Sequence, residues 1–216
     1  MTNKRVAFCT LGCKVNQYET NAMMQEFMKH EWEIVDFEEV ANAYIINTCT
    51  VTNMADRKSR QMIRRVKEIN PDAILVAVGC YAQVAKEELE KIPEIDLILG
   101  TNEKKNIYNL VNDRLKKADK NNEQVNKVDV TDVLHCEEYA DFGEVTFTEK
   151  TRAVIKVQDG CDRFCSYCII PFARGHIRSR KPENVVSEIT KIARTGIKEV
   201  VITGIHLASY GRDFKE

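Results

Sequence analysis

Glycine and proline are scarce in this 216-residue sequence, at 9 and 4 residues, and there is a single tryptophan. With few breakers and no low-complexity segment, a collagen-like chain and wholesale disorder are excluded. Long apolar runs are missing too. The longest, Ala73 to Val78, has six residues, against about twenty for a membrane helix. The opening Met1-Thr2-Asn3-Lys4-Arg5, followed by Val6-Ala7-Phe8, lacks the long apolar core of a secretory signal. Neither sign of charge dominates: 32 Lys+Arg meet 33 Asp+Glu. A bulk polyelectrolyte binder is thereby excluded, while local patches stay open. No Walker loop, G-x-G-x-x-G fingerprint or hydrolytic triad signature occurs.

What is abundant is cysteine. Eight cysteines stand at positions 9, 13, 49, 80, 136, 161, 165 and 168. With no export signal, a cytoplasmic protein with no membrane partner is expected. A reducing compartment disfavours structural disulfides, so cysteines at ligand spacing there point to metal or redox chemistry. Any one of them can be a small buried hydrophobe, but three within eight residues are hard to explain that way.

The periodicity predicts an α/β fold. Strands are expected at Arg5–Leu11, Glu33–Phe37, Ala43–Asn47, Ile74–Val78 and Asp96–Leu99. Helices are expected at Glu19–His30, Ala55–Ile69, around Val84–Lys91 and from Asn102. Asn70-Pro71 ends the second helix, because the residue before proline disfavours helical backbone. Continuous apolar strands alternating with helices predict an open parallel sheet covered on both faces. Residues 119–150 break the pattern with nine Asp/Glu against three Lys. They are expected to be an acidic connection with edge strands around Val125–Val130 and Glu144–Thr148. Alternation resumes with a strand at Ala153–Val157, a cysteine loop, a helix from Pro182 stopped at Thr195-Gly196, and a strand at Glu199–Thr203. The expected organisation is therefore a domain over residues 1–118, a connection over 119–150, and a second α/β domain begun over 151–216.

Cys161, Cys165 and Cys168 form C-x3-C-x2-C directly after a predicted strand. Three thiolates so spaced can hold three irons of a 4Fe–4S cluster and leave the fourth open to a small ligand. Zinc is the alternative, but it usually wants C-x2-C pairs and a fourth ligand, and His176 lies outside the usual spacing. With Tyr167 before the last cysteine, the run resembles the signature of radical S-adenosylmethionine enzymes. The stretch Ile169-Ile170-Pro171-Phe172-Ala173-Arg174-Gly175 and then Arg178-Ser179-Arg180 is similar to their methylthiotransferase branch. So are Thr10-Leu11-Gly12-Cys13-Lys14-Val15-Asn16-Gln17-Tyr18-Glu19, Asn47-Thr48-Cys49 and Gly79-Cys80. The resemblance covers essentially the whole chain, and within the branch it is greatest to the threonylcarbamoyladenosine enzymes.

Cys13, Cys49 and Cys80 each follow the carboxyl end of a predicted strand, and in an open parallel sheet such ends lie together where ligands bind. The resemblance assigns these three to an auxiliary 4Fe–4S cluster where sulfur is delivered, and Cys161, Cys165 and Cys168 to the cluster that cleaves S-adenosylmethionine. It implies insertion of a methylthio group at C2 of N6-threonylcarbamoyladenosine, beside the anticodon of tRNA. It further implies an electron donor protein, a sulfur source and the tRNA anticodon stem-loop as partners. Cys9 and Cys136 match no ligand position and are expected to be unligated. Tyr167 and the loop Thr203, Gly204 and His206 are expected near S-adenosylmethionine. Arg174, Arg178 and Arg180 are the candidates for RNA contact. The basic stretch 57–67 reads as the solvated face of an amphipathic helix. The resemblance further implies a radical-enzyme partial (β/α) barrel that is only begun, so that the chain is a truncated, incomplete fragment expected to be inactive alone. Other targets in the same class are an isopentenylated adenosine or a ribosomal-protein aspartate. From other classes come a two-cluster electron carrier or scaffold and a zinc-stabilised RNA-binding module.

Overall fold

A computed structural model describes residues 4–50, 53–118, 127–148 and 151–214. The first sheet contains β1 (Arg5–Thr10), β2 (Glu33–Val35), β3 (Ala43–Thr48), β4 (Ile74–Gly79), β5 (Leu97–Leu99) and β6 (Val128–Asp129). Their order is β2-β1-β3-β4-β5-β6, and every pairing is parallel. β3 and β4 are buried at every position. This follows from their unbroken apolar character, because helices cover both faces. Period-two alternation divides them: Ile46, Leu75 and Ala77 pack with Ile63 and Val66 of α2 (Asn53–Ile69) on one face. Ile45, Val76 and Val78 pack on the other face with Phe27 of α1 (Lys14–Lys29) and with Ile107 and Val111 of α5 (Ile107–Ala118). Between β4 and β5 lie two short helices, α3 (Cys80–Val84) and α4 (Lys86–Glu90), where one helix around Val84–Lys91 was expected.

α1 also begins earlier than expected, immediately after Cys13. Its first two turns bury Asn16, Glu19 and Thr20 completely, so apolar periodicity is blind to them. In the connection, β6 supplies one of the expected edge strands in part; residues 119–126 lie outside the described residues. The other, Glu144–Thr148, is not a strand. The side-chain amide of Gln25 replaces a ladder there: its Oε1 accepts from Thr146 N at 2.8 Å and Phe147 N at 3.0 Å, and its Nε2 donates to Glu144 O at 2.8 Å.

The second sheet is small. β7 (Ala153–Asp159) lies between β8 (Arg178–Ser179), antiparallel to it, and β9 (Val200–Gly204), parallel to it. Ile155 and Val157 pack against Val185 and Ile192 of α7 (Pro182–Arg194). α6 (Ile170–Arg174), absent from the sequence expectation, follows the cysteine loop.

The two sheets are joined by buried charge. Glu19 on α1 accepts from Lys156 of β7 at 2.7 Å, from Lys104, and from Arg174 of α6, while Lys156 also meets Asp159 at 2.5 Å. Glu19, Lys104, Lys156 and Arg174 are at most 1% exposed and Asp159 is 4% exposed. Burial alone would raise the Glu19 carboxyl, but Arg174, Lys104 and Lys156 together hold it well below the usual carboxylate range. Asp159 behaves likewise: Lys156 and Arg174 outweigh its burial and lower its pKa. A depressed folded-state pKa contributes stability that is complete above the unfolded value, about 4, and lost as pH falls through the folded value. Urea unfolding followed from pH 7 to pH 3 should therefore show an acid limb of falling stability. Glu19→Gln should flatten that limb and destabilise the chain at pH 7 by about 3–5 kcal/mol, the cost of breaking a buried pair from one side.

Candidate iron–sulfur and cofactor site

The order of the first sheet reverses between β1 and β3, the switch point at which open α/β sheets bind ligands outside the carboxyl ends of their strands. Cys13 lies just past β1, Cys49 directly after β3 and Cys80 directly after β4. Gly12 and Gly79, each directly before a cysteine, hold φ of +98° and +106°. A Cβ on Gly12 would stand 2.6 Å from Cys49 Sγ, and one on Gly79 would stand 2.7 Å from Asn47 Oδ1. Glycine is thus required twice at this edge, for conformation and for close approach. The first of these contacts also places the Cys49 sulfur against the backbone that carries Cys13.

Polar side chains fix the strand ends. Asn16 Nδ2 donates to Leu11 O at 2.7 Å and Thr48 O at 3.0 Å, and Asn47 Nδ2 donates to Asn16 O and to Thr20 Oγ1, both at 3.0 Å. Thr48 Oγ1 donates to Val78 O at 2.8 Å. Asn16 and Asn47 went unassigned at the sequence level, although both lie within the motifs that carry the family resemblance. Cys49 and Cys80 are buried and Cys13 is exposed. Cys13 opens into a cleft of about 190 Å³ whose other wall is Arg152, Val154 and Val201, at or next to β7 and β9. Cys80 is close enough to Lys104 and Arg174 to raise the pKa of each, although burial pulls both down and leaves Lys104 below its usual value. Three buried cations face two carboxylates there, so an anionic group at the cysteine edge is favoured. The donor set therefore suits an anionic, thiolate-ligated cluster.

The second set follows the same construction. Gly160, φ +70°, precedes Cys161, and a Cβ there would stand 1.8 Å from His176 O. Cys161 N donates to Gly175 O at 3.0 Å, and Cys168 N donates to Cys165 O at 2.9 Å. Phe164 adopts φ +42°. Cys165 is exposed, and Cys161 and Cys168 are half-buried. Among the described residues no three His, Cys, Asp or Glu side chains lie close enough to hold a single metal ion. The ligands of a cluster bind different irons and stand farther apart than those of one ion. The fit therefore rests on three thiols per set, each set carried on an ordered backbone.

Gln158 is the residue that sequence reasoning missed. Buried at the end of β7, it donates to Asp159 O at 2.6 Å and Gly160 O at 2.7 Å, and its Oε1 accepts from His206 N at 2.7 Å. One amide thus ties the cysteine loop to the loop after β9. Its only sequence signal is a polar residue inside an apolar strand, just before Gly160-Cys161. Gly204 is pressed against it, a Cβ there falling 2.9 Å from Gln158 Cβ, and Thr203 is buried. His206 Nδ1 lies 2.5 Å from Ser209 Oγ, and Tyr167 is 91% exposed.

The three arginines considered for RNA are placed inside the protein. Arg174 Nη2 donates to Asn16 Oδ1 at 2.6 Å, besides its pairing with Glu19. Arg178 donates to Arg174 O at 2.6 Å and Asn102 Oδ1 at 3.0 Å. Arg180 pairs with Glu188 at 2.6 Å and Asp141 at 3.1 Å, and donates to Gly143 O at 2.7 Å. All three are at most 1% exposed. The charge counted in their favour is neutralised by acidic partners and carbonyls, so no RNA contact is assigned to them. Cys9 lies in β1 against the core, where burial, partly offset by Lys58, pushes its thiol up to about 11. Cys136 Sγ accepts from Asn102 Nδ2 at 2.7 Å.

Two family models match: the uncharacterized protein family UPF0004 over residues 5–100 and the radical SAM superfamily over residues 155–214. The chain is 43% identical to the threonylcarbamoyladenosine tRNA methylthiotransferase MtaB of Bacillus subtilis, an alignment covering 98% of this chain and 46% of that protein. It is also 43% identical to the MtaB of Aquifex aeolicus, covering 97% and 50%. A ribosomal protein uS12 methylthiotransferase RimO, from Desulfitobacterium hafniense, is 36% identical over 98% of this chain and 46% of its own length. The chain thus spans about half the length of the curated relatives it matches. Among solved structures, the radical S-adenosylmethionine methyltransferase TsrM from Kitasatospora setae, with cobalamin and a [4Fe-4S] cluster bound, superposes with a TM-score of 0.66. It is 15% identical and covers 98% of this chain and 49% of its own, a likeness of fold alone. With the two matched regions in order around two cysteine-bearing edges, the chain is similar, over the half of their length that it spans, to radical S-adenosylmethionine methylthiotransferases.

Proposed function

We propose that this chain is part of a tRNA methylthiotransferase that places a methylthio group at C2 of N6-threonylcarbamoyladenosine beside the anticodon, in the cytoplasm, with a protein electron donor and a separate sulfur source. The observation that supports the reading is that both cysteine sets follow strand ends, Cys13, Cys49 and Cys80 after β1, β3 and β4 and Cys161 after β7, with Arg174 of α6 bonded to Asn16 and Glu19 of α1 between the two sheets. A reaction needing two cysteine-bound groups at one substrate atom requires the two sets to be held in a fixed relation, which this pairing of the sheets supplies. In this reading Cys13, Cys49 and Cys80 hold an auxiliary 4Fe–4S cluster, and Cys161, Cys165 and Cys168 hold the one that binds S-adenosylmethionine. When bound, these cofactors supply the radical, the methyl group and the sulfur.

The chain's own groups have narrower tasks. Gln158 fixes the β9 loop against the cysteine loop, so that Thr203, Gly204 and His206 border the second cofactor site. Gly12 and Gly79 let the cysteine-bearing turns approach each other. The clamps from Asn16 and Asn47 hold those turns rigid before any ligand arrives, which lowers the ordering cost of binding. A loop base that can be splayed out of its strand is the kind of RNA target that can enter a recessed site.

Anaerobic reconstitution should load about eight irons in two 4Fe–4S clusters, with Cys13→Ala and Cys161→Ala each losing about half. Zinc in their place, or one cluster surviving both changes, would overturn the pairing. Gly12→Ala should lower iron at the auxiliary set while Mössbauer and EPR spectra of the other cluster stay unchanged. For the target, tRNA nucleosides from a strain lacking this gene should be missing 2-methylthio-N6-threonylcarbamoyladenosine by mass spectrometry. Loss of a methylthio group from isopentenyladenosine or from a ribosomal protein instead would refute the assignment.

A further inference from the structure

α2 carries six basic residues between Arg57 and Lys67 and no acid there. Its inner face is filled by Ser59, Ile63 and Val66, all fully buried. The basic groups on the rest of the helix are of two kinds. Some have internal partners: Arg65 pairs with Glu38 at 2.7 Å and Glu68 at 2.9 Å, and Lys67 donates to Pro71 O at 2.9 Å and Ala73 O at 3.0 Å. Arg57 and Arg64 are exposed and have no ion-pair partner among the described residues. They border a groove of about 730 Å³ together with Arg60 and Gln61, and the acids at its margin, Glu38 and Glu68, are already bound to Arg65.

The groove has a direction. α2 starts four residues after Cys49, and Arg60 Nη1 donates at 2.6 Å to the hydroxyl of Tyr81, the residue after Cys80. Arg57, Arg60 or Gln61, and Arg64 follow one another at single turns of about 5.4 Å, a ladder of donors leading away from the cysteine edge. Guanidinium groups at regular spacing, of which Arg57 and Arg64 have no ion-pair partner among the described residues and Arg60 meets Glu88 only at 3.9 Å, match the backbone of a nucleic-acid strand.

We propose that this face of α2 is a docking surface for the phosphate backbone of the RNA substrate, with Arg57 and Arg64 contacting phosphates while the strand delivers its loop base to the cysteine edge. The inference rests on the tRNA reading above and adds the surface that positions the RNA.

The test is binding of tRNA to this chain by fluorescence anisotropy across a salt series. The double variant Arg57→Gln/Arg64→Gln should bind roughly tenfold more weakly at about 0.1 M salt. Its slope of log affinity against log salt should be smaller by about 1.4 to 1.8, the loss of two phosphate contacts. Arg57→Lys/Arg64→Lys should keep most of the affinity, and Arg194→Gln on the exposed side of α7 should bind as the parent does. Unaltered unfolding curves would establish that the variants are folded. If the parent chain binds tRNA and the double variant binds it equally well, the docking surface is refuted and the tRNA reading stands. An equal loss in Arg194→Gln would also refute it, as general charge attraction. If the parent chain itself shows no salt-dependent tRNA binding, the docking surface is refuted, while the tRNA reading is decided separately by the nucleoside analysis above.

Discussion

The buried carboxylate of Glu19 is the constraint on which the rest of the structure depends. It sits on the first helix, yet its partners come from a 3-10 turn after β5, from β7 and from α6. A carboxylate removed from water is expensive, and so is each of the three cations around it. No member of the group can be buried without the others, so the first sheet cannot bury α1 fully before the second sheet is in place. An apolar contact would allow sliding between the two sheets; a multiply bonded carboxylate with Asn16 beside it fixes their relative position through directional hydrogen bonds. The cleft beside Cys13 is lined by the β1–α1 turn and Gln17 of α1 on one side and by Arg152, Val154 and Val201 on the other, so it exists only in that fixed arrangement.

The same edge combines rigidity with access. Gly12, Gly79 and Gly160 each precede a cysteine and each occupy a backbone region that other residues avoid. Around them, donors from Asn16, Asn47, Thr48 and Gln158 satisfy carbonyls at the strand ends and in the first turn of α1 that would otherwise face a dry interior. The polar network thus does two jobs at once. It makes burial of the strand ends tolerable, and it fixes the backbone that carries the cysteines.

Much of this was legible in the sequence. Unbroken apolar stretches such as Ile74–Val78 can only be strands buried on both faces, and cysteines just past three such strands must fall on one edge once the sheet is parallel. What the sequence hides is polar burial. The first two turns of α1 carry Asn16, Glu19 and Thr20 into the interior, and no hydrophobic period marks them. Glu144–Thr148 has the composition of an edge strand, but one glutamine side chain on α1 captures its backbone groups. Arg174, Arg178 and Arg180 read as a basic patch because a sequence displays charge without displaying the partner, and each partner lies 39 or more residues away or on a backbone carbonyl, apart from Asp159 and Glu188.

Near-neutrality of the whole chain therefore conceals a strong segregation. The acids that follow β6, Asp141 and Glu144 among them, lie on Arg180 and Lys191 of the second half. Glu19 and Asp159 absorb Lys156 and Arg174 in the interior. Once these pairings are made, basic residues that looked most exposed to a ligand, beside the cysteine loop, have lost their long-range field to nearby counter-charges. Those on α2, which looked like an ordinary solvated helix face, keep theirs in part, because only Arg65 there is fully matched by acids. Field strength at a surface is set by the charges left over after folding, so where this chain attracts an anion is a property of its tertiary pairing and not of its composition.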